Sequence, residues 1–315
     1  MVKPAFLFPG QGSQFVGMGR DFHDAYAWAR EIFSLADDVS GKPVTKLCFE
    51  GPLEELTLTV NLQPAITAVN LVCFQALVDQ GVQPFVTAGH SLGEYSALAA
   101  AGVLSAPDCF KLVNLRGELM HRDAERRPGA MQAVMGLSMQ DVEAVAELAR
   151  DRGIVVVANQ NTPNQVVITG ESEAVATAAK LAQTKGAKTV PLPVSGAWHS
   201  PLMDDATRDF AVALAEVEFM APSCPVVLNV TGRPETDPAI IKETMAKQIT
   251  SPVLWSDSVL AMAGMGVTDF VEVGPKKVLS GLVRKTLPKD AEAGVLGVEN
   301  MDGVAKAAEK IASGE

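Results

Sequence analysis

The sequence predicts an α/β protein with two parts, a large subdomain built on a parallel sheet and a smaller subdomain inserted into it. In both outer parts of the chain, short apolar strands alternate with amphipathic helices, which is typical of a parallel sheet covered on both faces. Between them, the predicted order of elements is β-α-β-β-α-β, the order of a ferredoxin-like unit. We therefore expect residues 1–127 and 196–315 to form the large subdomain and residues 128–195 the small one.

The amino-terminal part of the chain is predicted to contain two buried strands with helices after each. The stretches "AFLF" (5–8) and "PFVTAGHS" (84–91) have the length and composition of buried strands that end in turns. Ser105 or Asp108 is placed to cap the last helix of this part. Apolar periodicity predicts helices at 21–37, 63–80, 92–102 and 105–124.

The rest of the chain supplies the inserted unit and a return to the large sheet. The inserted unit has predicted strands at 129–137, 153–161, 165–170 and 187–195, with helices at 138–152 and 171–186. After it we expect a helix and then a strand within 213–232, a helix at 237–250, a strand at 267–275 and a helix at 276–287. The tail beyond about residue 290 is weakly patterned, and the sequence predicts no element there.

Composition excludes several classes of function. Apolar residues make up 48% of the chain and the formal net charge is −11, which disfavours general nucleic-acid binding because phosphates require clustered positive charge. The four cysteines are far apart and form no CxxC pair, which predicts reduced thiols rather than a disulfide scaffold or a zinc site. The apolar run before Pro9 is too brief for a signal peptide and no stretch approaches membrane-spanning length, so we expect a cytoplasmic protein.

The stretch "AGHSLGEYSALAAAG" (88–102) places Ser91 between Gly89 and Gly93, where a predicted strand gives way to a predicted helix. A sharp strand-to-helix turn strains the serine backbone, and side chains two positions to either side would collide. The start of the helix also provides free N–H groups, the first of them on Leu92. The pattern favours a nucleophilic serine over a plain structural turn.

A serine hydroxyl needs a neighbouring base to act as a nucleophile, and the chain has four histidines. His90 abuts Ser91 on a tight turn, where neighbouring side chains point apart. His23 and His121 fall in helical patterns, where a surface or structural role is the ordinary one. His199 follows a predicted strand in the polar turn "VSGAWHSPLM", which makes it the best candidate for the base, with a structural histidine as the alternative.

The glycine-rich stretch "FPGQGSQFVGMG" (8–19) fails as a dinucleotide-binding fingerprint, because Phe15 stands where glycine or alanine is required. No Walker lysine follows it. If strand 5–8 lies beside the strand that leads to Ser91, this turn can aim a backbone N–H at the same carbonyl oxygen that the serine attacks. A structural loop is the alternative interpretation.

Arg116 lies in the largely apolar helical stretch "LVNLRGELM". A buried arginine needs a carboxylate or phosphate partner, and its planar fork suits bidentate binding. Glu118 cannot face it, because residues two apart on a helix point in different directions. Arg116 therefore either pairs with a distant acid of the chain or binds an acidic ligand.

Six stretches in this order resemble the malonyl-CoA:acyl-carrier-protein transacylases of fatty acid synthesis. The resemblance runs from about residue 5 to about residue 287. It implies an α/β-hydrolase-like large subdomain with a ferredoxin-like insert. The stretches are "FPGQGSQFVGMG", "GHSLGE", "LVNLRGELM", "HSPLM", "QITSPVLW" and "FVEVGP".

The resemblance implies a two-step acyl transfer. Ser91 would attack the malonyl thioester of coenzyme A with His199 as general base, and the malonyl group would then pass to the phosphopantetheine thiol of acyl carrier protein. The family's oxyanion hole uses the backbone N–H groups at the positions of Gln11 and Leu92.

Two further positions take roles from the resemblance. Arg116 matches the arginine that binds the malonyl carboxylate, and Gln248 matches a residue whose main-chain carbonyl orients the histidine in place of the usual acid. The implied partners are malonyl-CoA and acyl carrier protein, with no nucleic acid and no membrane. The family usually acts as a monomer, and no cofactor is implied beyond the coenzyme A thioester itself.

Two positions depart from the family's pattern, and one cluster bears on the partner. Trp198 replaces the usual Phe or Ser before the histidine, and its bulk is expected to narrow the acyl pocket and disfavour an α-methyl branch. Lys276 replaces a common glycine, which we expect to affect a surface loop. Because carrier proteins are typically acidic, an enzyme at −11 needs a positive surface for docking. The candidates are Lys276, Lys277, Arg284 and Lys285.

Two alternatives to the transacylase stay open from the sequence. One is a serine hydrolase that releases the acyl group to water, since the nucleophile motif permits it. The other is a related malonyl transferase that serves a polyketide or malonate-decarboxylating system.

Overall fold

The computed structural model describes residues 2–194 and 196–314 and places their strands in two sheets. The strands are β1 (Pro4–Phe8), β2 (Val86–Gly89), β3 (Ala130–Met135), β4 (Val155–Thr162), β5 (Gln165–Gly170), β6 (Lys188–Pro191), β7 (Val226–Leu228), β8 (Arg233–Glu235), β9 (Asp269–Val273) and β10 (Gly294–Val298).

Helices cover the larger sheet and one face of the smaller one. They are α1 (Arg20–Ala25), α2 (Ala27–Ser40), α3 (Val44–Glu50), α4 (Leu53–Thr57), α5 (Thr59–Asp79), α6 (Gly93–Ala100), α7 (Ala106–Arg126), α8 (Met139–Leu148), α9 (Ser172–Thr184), α10 (Asp204–Ala215), α11 (Pro238–Met245), α12 (Trp255–Gly264), α13 (Val278–Thr286) and α14 (Met301–Ser313). Short 3-10 segments lie at Arg150–Arg152, Pro201–Met203 and Gln248–Thr250.

The larger sheet has the strand order β10-β9-β1-β2-β7-β8. Its first five strands are parallel, which confirms the predicted parallel sheet, and β8 is an antiparallel edge strand. Strands β1 and β2 pair directly, with Phe8 opposite Gly89. Because parallel strands end at the same edge of a sheet, the turn after β1 lies beside the turn that carries Ser91.

The smaller sheet has the strand order β4-β5-β3-β6, and every pairing in it is antiparallel. Helices α8 and α9 pack on it around a separate apolar cluster that includes Val134, Val145 and Ile168. An isolated backbone bridge between Asn159 and Val253 joins strand β4 to the larger unit, which is the larger sheet with its helices. The elements between 128 and 194 thus follow the predicted β-α-β-β-α-β order. The last strand ends at Pro191 rather than at residue 195, which lies outside the described residues.

Helix α5 passes through the middle of the larger unit. It is the one helix among the described residues that is long and apolar enough to cross a membrane. Of its apolar 18-residue stretch, 78% is buried inside the protein. The expectation that no stretch approaches this length was therefore wrong. The helix packs against α2, α6 and α7, so its apolar surface belongs to the core.

Two predicted helix boundaries in the amino-terminal part were also wrong. The predicted helix 21–37 is two helices, because Tyr26 between them is extended (φ −122°, ψ 134°) and stacks on Trp28 at 5.0 Å. The predicted helix 63–80 begins four residues earlier, at Thr59, and contains Pro64 in its second turn. The capping prediction was correct for Ser105, whose side chain accepts a hydrogen bond from the backbone N–H of Asp108.

Four helices and the two edge strands of the larger sheet, β8 and β10, had no counterpart in the sequence prediction. Strand β10 adds the outermost parallel strand beside β9, and α14 follows it with Asn300 as its cap. Strand β10 is only partly buried and contains two glycines, so it lacks the strong apolar pattern that marks β1 and β9. The tail beyond 290 is therefore an ordered part of the larger sheet. The missed helices are α3, α4, α12 and α14.

Candidate active site

Ser91 lies in the turn between β2 and α6 with a left-handed backbone (φ 51°). The two flanking glycines are required by close backbone approach. A Cβ on Gly89 would lie 2.0 Å from the carbonyl carbon and oxygen of Gly93, and a Cβ on Gly93 would lie 1.9 Å from the carbonyl oxygen of Phe8. No larger residue fits at either position, which explains the glycines on both sides of the serine.

His199 meets Ser91 across 108 residues of sequence: the distance from the serine Oγ to the imidazole Nε2 is 2.8 Å. Its Nδ1 lies 3.2 Å from the carbonyl oxygen of Gln248 and 2.9 Å from that of Ser251. A carbonyl oxygen only accepts, so Nδ1 carries the proton and Nε2 accepts from the serine hydroxyl. Burial, reinforced by Arg116 and His90, lowers the pKa of His199 to about 3, and the ring is neutral near pH 7.

The loop after β1 packs tightly on the serine turn. The His90 backbone N–H donates to the carbonyl of Phe8 at 3.0 Å, and a Cβ on Gly10 would lie 2.5 Å from the carbonyl of His90. Gln11 and Leu92 both line the pocket that contains Ser91. Within the part of the chain that the structure describes, no protein group accepts a hydrogen bond from either backbone N–H. Two backbone donors are thus available beside the hydroxyl.

Arg116 projects from α7 into the same site and is 1% exposed. Its Nη2 donates to the Ser91 Oγ at 3.1 Å, its Nη1 to the Gln63 Oε1 at 3.0 Å, and its Nε to the Gln248 Oε1 at 3.2 Å. Among the described residues, no carboxylate forms an ion pair with it. Burial lowers the pKa of the guanidinium below its ordinary value. The alternative in which Arg116 pairs directly with a distant acid is therefore not supported by the described residues.

The pocket at the site has a volume of about 300 Å³. Arg116 is the one charged side chain among the described residues that line it, and most of the other lining residues are apolar or carry amides. An anionic group that enters this pocket would meet a buried cation and no buried anion in the wall. The apolar lining includes Met120, Met131, Val167, Leu192, Val194, Trp198, Leu279 and Leu282.

The other histidines lie where the sequence placed them. His90 turns away from Ser91 and pairs its Nε2 with the Asn161 Oδ1 at 2.8 Å, which links the serine turn to strand β4. His23, within α1, packs against the rings of two phenylalanines, and His121 is one-third exposed on α7. Of the four, only His199 and His90 line the pocket among the described residues.

Four residues contribute to the site that sequence analysis missed. Glu94 is fully buried one turn after the serine, and its acidic side chain in an otherwise uncharged helix was a signal that could have been used. Gln63 and Asn229 belong to distant segments outside the six quoted stretches, and Ser251 lies within "QITSPVLW", where only Gln248 was singled out. The Asn229 side chain accepts from the Ser91 backbone N–H at 2.7 Å and donates to the Gly89 carbonyl at 2.6 Å.

The two departures noted in the sequence both lie at the site. Trp198 is 4% exposed and lines the pocket, and its ring lies against Gly196, where an added Cβ would be 2.6 Å from it. Lys276 has a left-handed backbone (φ 63°) and is exposed, as expected of a surface loop. Its ammonium group also donates to the Gly12 carbonyl at 3.2 Å, so it contacts the loop that carries Gln11.

The fold and the site define an α/β protein in which a strained serine, hydrogen-bonded to a neutral histidine, lies at the carboxyl edge of a parallel sheet. Among the described residues, no group of three or more His, Cys, Asp and Glu side chains could hold a metal ion. Comparison with known proteins gives the family: residues 5–309 match the acyl transferase domain, and the chain belongs to that family.

Three relatives illustrate the similarity. The malonyl CoA-acyl carrier protein transacylase of Bacillus subtilis (strain 168) is 42% identical over 287 residues, 90% of each chain. The crystal structure of acyl-carrier-protein-S-malonyltransferase from Bartonella henselae superimposes with a TM-score of 0.93 at 38% identity, covering 99% of this chain and 100% of that one. A malonyl-transacylase solved in complex with its type II PKS acyl-carrier protein gives a TM-score of 0.92 at 36% identity, covering 98% and 99%.

Proposed function

We propose that the protein transfers a malonyl group from malonyl-CoA to the phosphopantetheine thiol of acyl carrier protein through a malonyl-serine intermediate. The relatives above carry this activity in their names. The observation that carries the proposal is the position of Arg116, whose buried guanidinium Nη2 lies 3.1 Å from the Ser91 Oγ and pairs with no carboxylate among the described residues. In a malonyl thioester, one methylene separates the carbonyl carbon from the carboxylate. When Ser91 attacks that carbon, the carboxylate therefore lies within reach of Arg116.

In the first half-reaction, the Ser91 Oγ attacks the thioester carbonyl and its proton passes to the Nε2 of His199. The oxyanion that forms accepts hydrogen bonds from the backbone N–H groups of Gln11 and Leu92. The intermediate collapses with cleavage of the carbon–sulfur bond, and the coenzyme A thiolate takes the proton from the imidazole. The carbonyls of Gln248 and Ser251 accept from the Nδ1–H, so Nε2 is the ring nitrogen that takes up and releases the proton.

In the second half-reaction the same groups act in reverse order. The thiol of the carrier protein gives its proton to His199 and attacks the malonyl-serine ester. The serine leaves with that proton, and the malonyl group is now a thioester of the carrier. A neutral imidazole is needed at the start of both halves, which the low pKa of His199, about 3, provides. The named relatives are transacylases, so they support transfer rather than the hydrolysis considered from the sequence.

Helix α13 is the proposed docking surface for the carrier protein. Val278 and Leu282 on this helix line the pocket, and the basic side chains on or just before it are exposed. An acidic partner that binds there would bring its pantetheine arm to the mouth of the pocket. The basic residues are Lys276, Lys277, Arg284 and Lys285.

Reversing two of these charges, with Lys276→Glu and Lys277→Glu together, is expected to raise the KM for holo-acyl carrier protein roughly tenfold or more, because rim charges chiefly control association. The rate of malonyl-serine formation from malonyl-CoA alone should stay within about threefold of wild type. Steady-state transfer assays with a fatty acid carrier and a type II polyketide carrier measure the KM and rank the two carriers. Release of coenzyme A in the absence of carrier measures the rate of malonyl-serine formation.

The matched control for this experiment is Lys180→Glu with Lys185→Glu, an exposed pair at the end of α9 that does not line the pocket. This control should leave the carrier KM unchanged. An unchanged carrier KM in the α13 variant would rule this surface out, whatever the control shows.

Trp198 is proposed to restrict the acyl group. Replacing it with alanine removes a large ring from the pocket wall and should raise kcat/KM for methylmalonyl-CoA relative to malonyl-CoA by about 10-fold or more, since one methyl group in a tight pocket is worth about 1–3 kcal/mol. Competition between the two thioesters, read by mass spectrometry of the carrier, measures the ratio. Leu192→Ala, at another lining position, tests whether any enlargement has the same effect. An unchanged ratio in Trp198→Ala would assign the ring to packing alone.

The remaining expectations from the sequence are kept as proposals. The larger unit, 1–127 and 196–315, is proposed to be an α/β-hydrolase-like subdomain. The unit 128–195, whose sheet order matches that topology, is proposed to be ferredoxin-like. We also propose a monomeric cytoplasmic enzyme that uses no cofactor and binds neither nucleic acid nor a membrane.

A further inference from the structure

Glu94 is the buried acid nearest in sequence to the nucleophile, and the acyl-transfer steps above do not use it. It is fully buried in the first turn of α6. Its Oε1 accepts from the backbone N–H of Asn229 at 2.8 Å and its Oε2 from the Gln248 Nε2 at 2.7 Å. A buried carboxylate is costly unless a cation balances it.

The cation that balances Glu94 is Arg116, but the two are not in direct contact. The side-chain amide of Gln248 lies between them: its Nε2 donates to Glu94 and its Oε1 accepts from the Arg116 Nε at 3.2 Å. The charges act on each other through the amide. Arg116 opposes the rise in the pKa of Glu94, and Glu94 opposes the fall in the pKa of Arg116.

This arrangement leaves part of the guanidinium open. Gln248 and Gln63 occupy its Nε and Nη1 with neutral amide oxygens, and the Nη2 faces the Ser91 hydroxyl. A direct ion pair with Glu94 would instead fill the bidentate face that a ligand carboxylate requires. The amide therefore keeps the counter-charge close enough to act and too far to compete for the same hydrogen bonds.

We propose that Glu94 is a positioning residue that serves as the remote counter-charge of Arg116 and weakens the hold of the site on the malonyl carboxylate, so that the acyl group can leave for the carrier protein. The proposal rests on the proposed function. Its physical basis is Coulombic: a negative charge behind the guanidinium lowers the potential that a bound carboxylate experiences.

Removing the charge of Glu94 is therefore expected to tighten the binding of malonyl. At about pH 8.5, where wild-type Glu94 with a pKa of about 7 is ionised, Glu94→Gln should lower both the KM for malonyl-CoA and the inhibition constant of free malonate by about tenfold. The KM for acetyl-CoA should stay within about threefold of wild type. Free malonate should also raise the Tm of the variant more than that of wild type, since the buried cation now gains its only counter-charge from the ligand.

A matched control is Glu272→Gln. Glu272 is also fully buried and accepts from two backbone N–H groups, those of Leu279 and Ser280, but it caps α13 and has no contact with Arg116. The Glu272→Gln variant should be less stable than wild type, but its ratio of the KM for malonyl-CoA to the KM for acetyl-CoA should be unchanged. If Glu94→Gln weakens malonyl binding, or changes both substrates by the same factor, the residue is merely structural and the proposal is wrong.

Wild-type enzyme provides a second measurement that needs no folded variant. Burial raises the pKa of Glu94 to about 7, so acidification through that value neutralises it. The KM for malonyl-CoA should then fall as the pH is lowered from about 8 to about 6, and the KM for acetyl-CoA should not. The other ionisable groups at this cluster are Arg116 on α7, Tyr95 on α6 and the imidazoles of His90 and His199. Burial raises the pKa of Tyr95 and lowers the pKa of His199 to about 3, so both stay neutral over this range, and burial also lowers the pKa of His90 below its ordinary value.

The outcomes separate this proposal from the function on which it rests. If wild-type enzyme forms no malonyl-serine, the proposed function fails. If it forms the intermediate but the malonyl-CoA KM is independent of pH and unchanged in Glu94→Gln, the counter-charge role alone is overturned.

Discussion

Replacing Ser91 with alanine is expected to abolish malonyl transfer, with a fall in kcat of about 10⁴-fold or more, because the oxygen that carries the acyl group is gone. The neighbouring groups stay in place, since among the described residues the hydroxyl only donates to His199 and accepts from Arg116. Two hydrogen bonds hold the left-handed backbone of residue 91: its N–H donates to the Asn229 side chain, and its carbonyl accepts from the Gln248 side chain. Transfer to holo-acyl carrier protein, followed by mass spectrometry of the carrier, gives the residual rate.

A serine of different role provides the control. Ser105 caps α7 through its hydroxyl, and Ser105→Ala should lower stability by about 1 kcal/mol while leaving the malonyl transfer rate unchanged. Residual transfer by Ser91→Ala at more than about one-hundredth of the wild-type rate would show that another group accepts the acyl chain.

Replacing Arg116 with alanine is expected to change substrate preference as well as rate. The loss of a buried charged partner should cost malonyl transfer about 2–5 kcal/mol, or roughly 30- to 5,000-fold in kcat/KM. Acetyl-CoA has no carboxylate to bind, so its relative rate should rise. Because the substitution also leaves the amide oxygens of Gln63 and Gln248 without their donor, some loss is shared by both substrates. The malonyl-to-acetyl ratio of kcat/KM is therefore the quantity to measure.

Arg122 on the same helix is the matched control. It is partly exposed and pairs with Asp123 and Asp209 rather than facing the pocket. Arg122→Ala should leave the malonyl-to-acetyl ratio unchanged. If the malonyl-to-acetyl ratio of kcat/KM is also unchanged in Arg116→Ala, the guanidinium does not bind the malonyl carboxylate.

Much of the site could be predicted from the sequence because local sterics mark it. Gly89 and Gly93 are required by the turn around Ser91, and the contacts of their absent side chains explain why the motif takes this form. Two short apolar strands could be recognised, one followed by Pro9-Gly10 and the other ending at Gly89. Their pairing, which brings the loop of Gln11 to that turn, was only a condition of the sequence argument, and the structure meets it. His199 had a weaker local signal, a polar turn after a predicted strand, which made it the best candidate base but left a structural histidine as the alternative. The resemblance favoured the base.

The parts that could not be predicted depend on contacts between distant segments. Ser251 shares the orientation of His199 with Gln248, and no residue pattern distinguishes that carbonyl from its neighbours. Asn229 meets the serine turn only because β7 pairs with β2. Strand β10 takes its place from pairing with β9 rather than from its own weak pattern.

The most direct test of the account is the intact mass of the wild-type protein after mixing with malonyl-CoA in the absence of carrier protein. We expect the mass to increase by one malonyl group, with fragmentation placing it on Ser91, and the added mass to move to holo-acyl carrier protein when that is supplied. The same experiment on Ser91→Ala should show no added mass. A malonyl group on another residue, or transfer without any acylated enzyme, would contradict the account.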